Sequence, residues 1–140
     1  MTDKMQDYVA VATQKHEKGY NCCQAVACAF SEALGMDEDI VFRMAEGFGA
    51  GMGSMQGTCG AVTGAVMLAG LKNSQGTNHI GTKGATYQLS KEIVERFEEM
   101  NGSSICKDLK GLETKKVLRP CSGCIEDAVK IAEKIVFGEE

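Results

Sequence analysis

Tryptophan is absent from this sequence, proline occurs once, at Pro120, and aromatic residues make up only 6% of the 140 positions. With so few rings, the core must be built from Ala, Val, Ile, Leu and Met. The scarcity of proline leaves long stretches free to be helical. Positive charge is also lacking: the net charge is -4 and no basic stripe is present. Phosphate backbones need such a stripe, so nucleic acid is excluded as a partner. No apolar run is long enough for a bilayer; the most apolar one, Ala61–Leu71, is about half of what a span needs. Met1–Tyr20 is studded with charge and has no secretory apolar core, so the expected compartment is the cytoplasm. There is no Ser-His-Asp set, no G-x-G-x-x-G in the glycine run, no GK[ST] after it, and no second CxxC to make a zinc ribbon. The length fits one domain, residues 1–140, able to bury a core without a staple.

Periodicity predicts an all-α bundle of about six or seven helices around a central buried one. Met5, Tyr8, Val9 and Ala12 fall at helical spacing over residues 3–18, ended by Gly19. Asn21 can cap a second helix with the stripe Cys23, Val26, Ala27, Phe30 and Leu34, closed by Gly35. Asp37 caps a third, with Val41, Met44, Ala45 and Phe48 on one face. Residues 61–71 are apolar nearly all round, as in a helix at the centre of a domain. Gly60 and Gly64, and Ala61, Ala65 and Ala69, give it a small-residue face that lets a neighbour come close. A polar loop follows over 72–83, then a long helix over 84–100 with Leu89, Ile93, Phe97 and Met100 inward, stopped by Gly102. Ser103 or Ser104 caps a short helix through Leu109. After a charged connector, the last helix starts near Pro120–Ser122, its stripe running from Ile125 to Val136.

Against this background seven cysteines stand out. In a reducing compartment cysteines are packing residues, metal ligands or redox thiols rather than permanent disulfides. Cys23 lies on an apolar stripe and Cys28 takes an alanine-like place, so both read as packing. Cys22, Cys59, Cys106 and Cys124 differ, because all fall in or near the first turn of an expected helix. A helix start exposes unpaired N–H groups and partial positive charge. That favours thiolate over thiol, and the thiolate is the form that attacks disulfides, binds metals and ligates clusters. Cys121-Ser122-Gly123-Cys124 is also a CxxC at a helix start, though without the βαβ context of thioredoxin-like motifs.

The run containing Gly47, Gly49, Gly51, Gly53, Gly57 and Gly60 reads as tight backbone. Gly49, Gly51, Gly53 and Gly60 are candidates for bringing amides close to the Cys59 sulfur or its bound partner. A turn needed only for close helix packing explains the run equally well. His16 and His79 have no ligand-spaced neighbour and read as solvent-facing. Glu38, Asp39, Glu98, Glu99, Glu126 and Asp127 read as solvated helix faces, and Met44, Met52, Met55 and Met67 as gap fillers.

Asn21-Cys22-Cys23-Gln24-Ala25-Val26, Gly47-Phe48-Gly49-Ala50-Gly51-Met52-Gly53, Thr58-Cys59-Gly60-Ala61-Val62-Thr63-Gly64, Ser104-Ile105-Cys106 and a late Cys124 together form a pattern. In it the chain resembles the C_GCAxxG_C_C family of redox-active proteins over nearly its whole length. The label's Gly-Cys-Ala reads Cys-Gly-Ala here, at 59–61. The resemblance places the family's cysteines on Cys22, Cys59, Cys106 and Cys124, with Cys121 as the alternative last position. It implies association with oxidoreductase systems, hence an oxidoreductase or other redox protein as partner; a homodimer is left open.

Three functions are compatible with these residues. In the first, four thiolates hold an iron–sulfur cluster or a metal such as zinc, for electron transfer or redox sensing. In the second, a metal-free dithiol cycles with its disulfide, with Cys121–Cys124 or Cys22–Cys59 as the pair. In the third, a non-catalytic helical interaction module merely buries its cysteines.

Overall fold

The computed structural model describes residues 7–138. Met5, the first position of the predicted N-terminal stripe, lies outside them. Among the described residues are seven α-helices: α1 (Tyr8–Glu17), α2 (Cys22–Ala29), α3 (Glu38–Ala45), α4 (Gly60–Asn73), α5 (Lys83–Asn101), α6 (Cys106–Lys110) and α7 (Cys121–Ile135). The only extended pairing among them is a short antiparallel bridge between Thr58 and Ile105. The fold is all-α, as expected. None of these helices is long and apolar enough to cross a membrane.

α4 is the central helix and packs against α2, α5 and α7. Its small-residue face is what allows this. A Cβ at Gly64 would lie 3.0 Å from both the Cys23 carbonyl oxygen and Val26 Cβ of α2. A Cβ at Gly60 would likewise lie 3.1 Å from Cys23 N and 3.3 Å from Cys22 Cβ. Two glycines one turn apart thus bring the start of α4 against the start of α2. Leu68 of α4 is buried in one core with Phe30, Ile93, Phe97, Ile125 and Val129. Phe30 stacks on Tyr8 at 4.2 Å and on Phe137 at 4.9 Å, joining α1 to the end of α7.

Helix boundaries follow local chemistry. α2 carries a complete capping box: Asn21 accepts from the Gln24 amide and Gln24 accepts from the Asn21 amide, both at 2.9 Å. Asn21 also donates to the Glu46 carbonyl at 3.0 Å, tying this cap to the glycine loop. Asn21→Ala removes both links, and a loss of about 1–2 kcal/mol is expected, read as a lower urea midpoint at unchanged slope. Gly102 (φ +86) and Gly111 (φ +70) end α5 and α6 in the left-handed conformation.

Several expectations are corrected. α2 ends at Ala29, and residues 30–35 continue as turns rather than helix. Met44 and Met100 point outward, 56% and 47% exposed, because their helices bury narrower stripes than the periodicity suggested. Met52 is exposed as well and fills no gap. No side chain caps α6; the Ser103 hydroxyl instead accepts from the Ile105 amide, one residue before the helix. Asp127 is buried, not solvated, because Arg119 grips its carboxylate with two hydrogen bonds of 3.1 and 3.2 Å. Glu38 takes 2.7 Å hydrogen bonds from both Lys15 and Tyr20, joining α1 to α3.

Candidate functional site

The starts of α2, α4, α6 and α7 open onto one cavity of about 210 Å³. Five cysteines line it: Cys22, Cys59, Cys106, Cys121 and Cys124. The four chosen from helix starts are therefore neighbours, and both members of the CxxC join them. Cys23 and Cys28 lie apart in the core, 0% and 2% exposed. Burial lifts each of those thiols to a pKa of about 11, as befits packing residues.

The backbone explains how segments distant in sequence converge. Beside the Thr58–Ile105 bridge, the Cys59 amide donates to the Ser104 carbonyl at 2.7 Å and the Cys106 amide to the Gly57 carbonyl at 3.0 Å. These bonds lock the starts of α4 and α6 side by side. The Leu118 and Arg119 amides donate to the Leu109 carbonyl, which leads the connector back to the same place. The Arg119–Asp127 ion pair then fixes that connector to α7, and Cys121 becomes the first residue of its helix.

The glycine loop divides into two kinds of position. Gly51 (φ +55) sits directly over Cys106: a Cβ there would come within 2.5 Å of Cys106 Cβ. A Cβ at Gly49 would collide with the Asn21 side chain. Gly60, at the start of α4, lines the cavity itself. A Cβ at Gly53, by contrast, would meet nothing within 4 Å, and only its φ of +82 calls for glycine. Ala50, Met52 and Met55 also hold positive φ, so the loop is strained where it covers Cys106.

The sulfurs are arranged in couples. None of the seven cysteines is in a disulfide. Cys22 and Cys121 share a hydrogen bond, which holds the Cys121 thiol down to about 6 and drives that of Cys22 up. Burial opposes the drop at Cys121, while the Lys110 ammonium and His16 reinforce it. Cys59 and Cys124 repeat the arrangement. The neighbouring Cys124 thiol, whose sulfur also stands 3.6 Å from the Arg119 carbonyl oxygen, brings Cys59 down to about 7 against the effect of burial, and is itself pushed up. The Ala61 and Val62 amides at the start of α4 also favour the Cys59 thiolate, too loosely to count as a helix cap. Cys106 is outside both couples; burial raises it, with Lys110 acting the other way. Each couple thus joins α7 to another helix, and contains one acidic thiol and one proton-holding thiol. Cys22 and Cys59, the long-range pair expected from sequence, line the same cavity, each beside a cysteine of α7.

Sequence reasoning took His16 for solvent-facing and passed over Lys110, yet both stand on the cavity wall. Lys110 had a signal, since it stands four residues after Cys106 and shares its helix face. His16 had none; it reaches the site only because α1 packs on α2. Among the described residues no three His, Cys, Asp or Glu side chains are arranged to hold a metal ion.

The family model described as "Putative redox-active protein (C_GCAxxG_C_C)" matches residues 20–135, most of the chain. The chain belongs to the C_GCAxxG_C_C family. The match begins just before Cys22 and ends with α7, so all five cavity cysteines of this C_GCAxxG_C_C protein fall inside it. No curated protein and no solved structure matches the chain.

Proposed function

We propose that this C_GCAxxG_C_C protein is a metal-free thiol–disulfide redox protein, cycling Cys22–Cys121 and Cys59–Cys124 between dithiol and disulfide. The observation that carries the reading is the pairing of sulfurs, an acidic thiol beside a proton-holding one in each couple. Disulfide exchange needs that combination: a thiolate attacks, and a neighbouring thiol resolves the mixed disulfide. Cys121, half-buried and flanked by Lys110 and His16, is the attacking thiol in this reading, and Cys22 resolves. Another redox protein bearing a dithiol or disulfide is the matching partner.

Counting free thiols in redox buffers tests the proposal. Loss of two thiols, and then of four, is expected on oxidation between roughly -150 and -300 mV. An unchanging thiol count across that range would reject it.

One observation favours a second reading. Five sulfurs facing a single cavity supply more than the four thiolates of an iron–sulfur cluster. In that reading Cys22, Cys59, Cys106 and either Cys121 or Cys124 would be the ligands. Iron and acid-labile sulfide near stoichiometry in anaerobically purified protein would select it over the dithiol reading.

A further inference from the structure

α7 contributes a cysteine to each couple, and the two stand three residues apart on it. Helix geometry puts such Cα atoms about 5 Å apart, inside the roughly 4.4–6.8 Å that a disulfide spans. Residues at this spacing also share a helix face. The couples differ in access. Cys22 and Cys121 are half-buried. Cys59 and Cys124 are only 5% and 2% exposed. A dithiol from outside can reach the first couple far more readily than the second.

We infer that the couples form a relay, with Cys121 and Cys124 of α7 passing a disulfide between the inner pair Cys59–Cys124 and the outer pair Cys22–Cys121. This rests on the thiol–disulfide reading above and adds a direction of transfer to it. The transfer starts with the inner pair oxidised and the outer pair reduced. The Cys121 thiolate attacks Cys124 Sγ; the Cys59–Cys124 bond breaks, a Cys121–Cys124 bond forms, and Cys59 leaves as thiolate. Cys22 Sγ then attacks Cys121 Sγ. The Cys121–Cys124 bond breaks, a Cys22–Cys121 bond forms, and the departing Cys124 sulfur takes the proton that Cys22 gives up.

Two electrons have moved inward and one negative charge has moved from Cys121 to Cys59. The inner pair is left as the structure holds it, with Cys59 favoured as thiolate and Cys124 as thiol. An external dithiol of a partner protein then reduces the outer disulfide and itself becomes a disulfide, and a small disulfide entering the cavity, cleaved to two thiols as the Cys59–Cys124 bond forms, restores the starting state. The Ala61 and Val62 amides serve the leaving group, since they face the sulfur on which the charge arrives.

The intermediate can be trapped in the full-length chain. Cys22→Ala removes the resolving sulfur, so transfer stops at the CxxC. After treatment with one equivalent of diamide, acid quench, alkylation and peptide mapping, this variant is expected to contain Cys121–Cys124 together with Cys59–Cys124. Only Cys59–Cys124, with Cys121 left alkylatable, overturns the relay and leaves the thiol–disulfide reading standing. No disulfide in either the variant or the wild type overturns both. A second measurement uses dithiothreitol as the external dithiol. Reduction of the Cys59–Cys124 disulfide is expected to be about tenfold slower in Cys121→Ser than in wild type, because the reagent must then reach a buried bond directly. An unchanged rate overturns the relay.

Discussion

Replacing Cys121 by serine is expected to lower the initial rate of iodoacetamide alkylation at neutral pH by about tenfold. The thiolate is the reacting form, so the rate follows the ionised fraction. A thiol brought down to about 6 is mostly ionised at neutral pH, whereas an ordinary cysteine is ionised to only a few per cent. Cys59 is also acidic, but its 5% exposure keeps it from the reagent. The sign of the pH dependence follows: wild-type reactivity is lost as pH falls through about 6, the value for Cys121, and levels off above it. Cys22→Ala removes the hydrogen bond that contributes most to this acidity, so the midpoint should rise toward that of an ordinary thiol. Lys110, His16 and the Cys121 backbone amide then remain against burial. A wild-type profile with a single midpoint near 8.5, the ordinary cysteine value, would contradict the thiol–thiolate couple.

Gly51→Ala is expected to cost roughly 2–5 kcal/mol of stability, the sum of a left-handed backbone penalty and overpacking. Both causes are present at this residue. Its φ of +55 disfavours any side chain, and the added Cβ would lie 2.5 Å from Cys106 Cβ and 3.0 Å from the Gly57 carbonyl oxygen. That carbonyl accepts the Cys106 amide, so the substitution also strains the bond joining the starts of α4 and α6. Gly53→Ala is the matched control. With φ +82 and open space around it, it bears only the backbone cost of about 1–2 kcal/mol. Urea denaturation of the two variants separates the terms. Equal losses would mean that contact with Cys106 contributes nothing.

Much of this architecture is written locally in the sequence. The nearly uniform apolarity of residues 61–71 marks the central helix, and Gly60 and Gly64 mark where α2 crosses it. Asn21 with Gln24, Gly102 and Gly111 set helix ends by chemistry confined to one turn. The gathering of Cys22, Cys59 and Cys106 was legible because helix starts carry a recognisable signature. Their partners were not. Whether Cys59 meets Cys22 or Cys124 depends on how helices distant in the chain pack, and no local rule encodes that. Choosing between Cys121 and Cys124 had no structural basis, since the helix presents both to the cavity. Met44, Met100 and Asp127 were misread for a related reason: the width of a buried stripe, and the arrival of Arg119 from another segment, are properties of the assembled fold.

α7 alone answers to both sulfur couples, and its partners come from near the beginning and the middle of the chain. Closing Cys22 to Cys121 would make a ring of about 100 of the 140 residues, and rings of that size restrict the denatured ensemble most. Conformational stability and reduction potential would then be two readings of one thermodynamic cycle. Whatever the ring adds to the folded state must reappear as resistance of the bond to reduction, so a loosened α7 would yield a stronger oxidant.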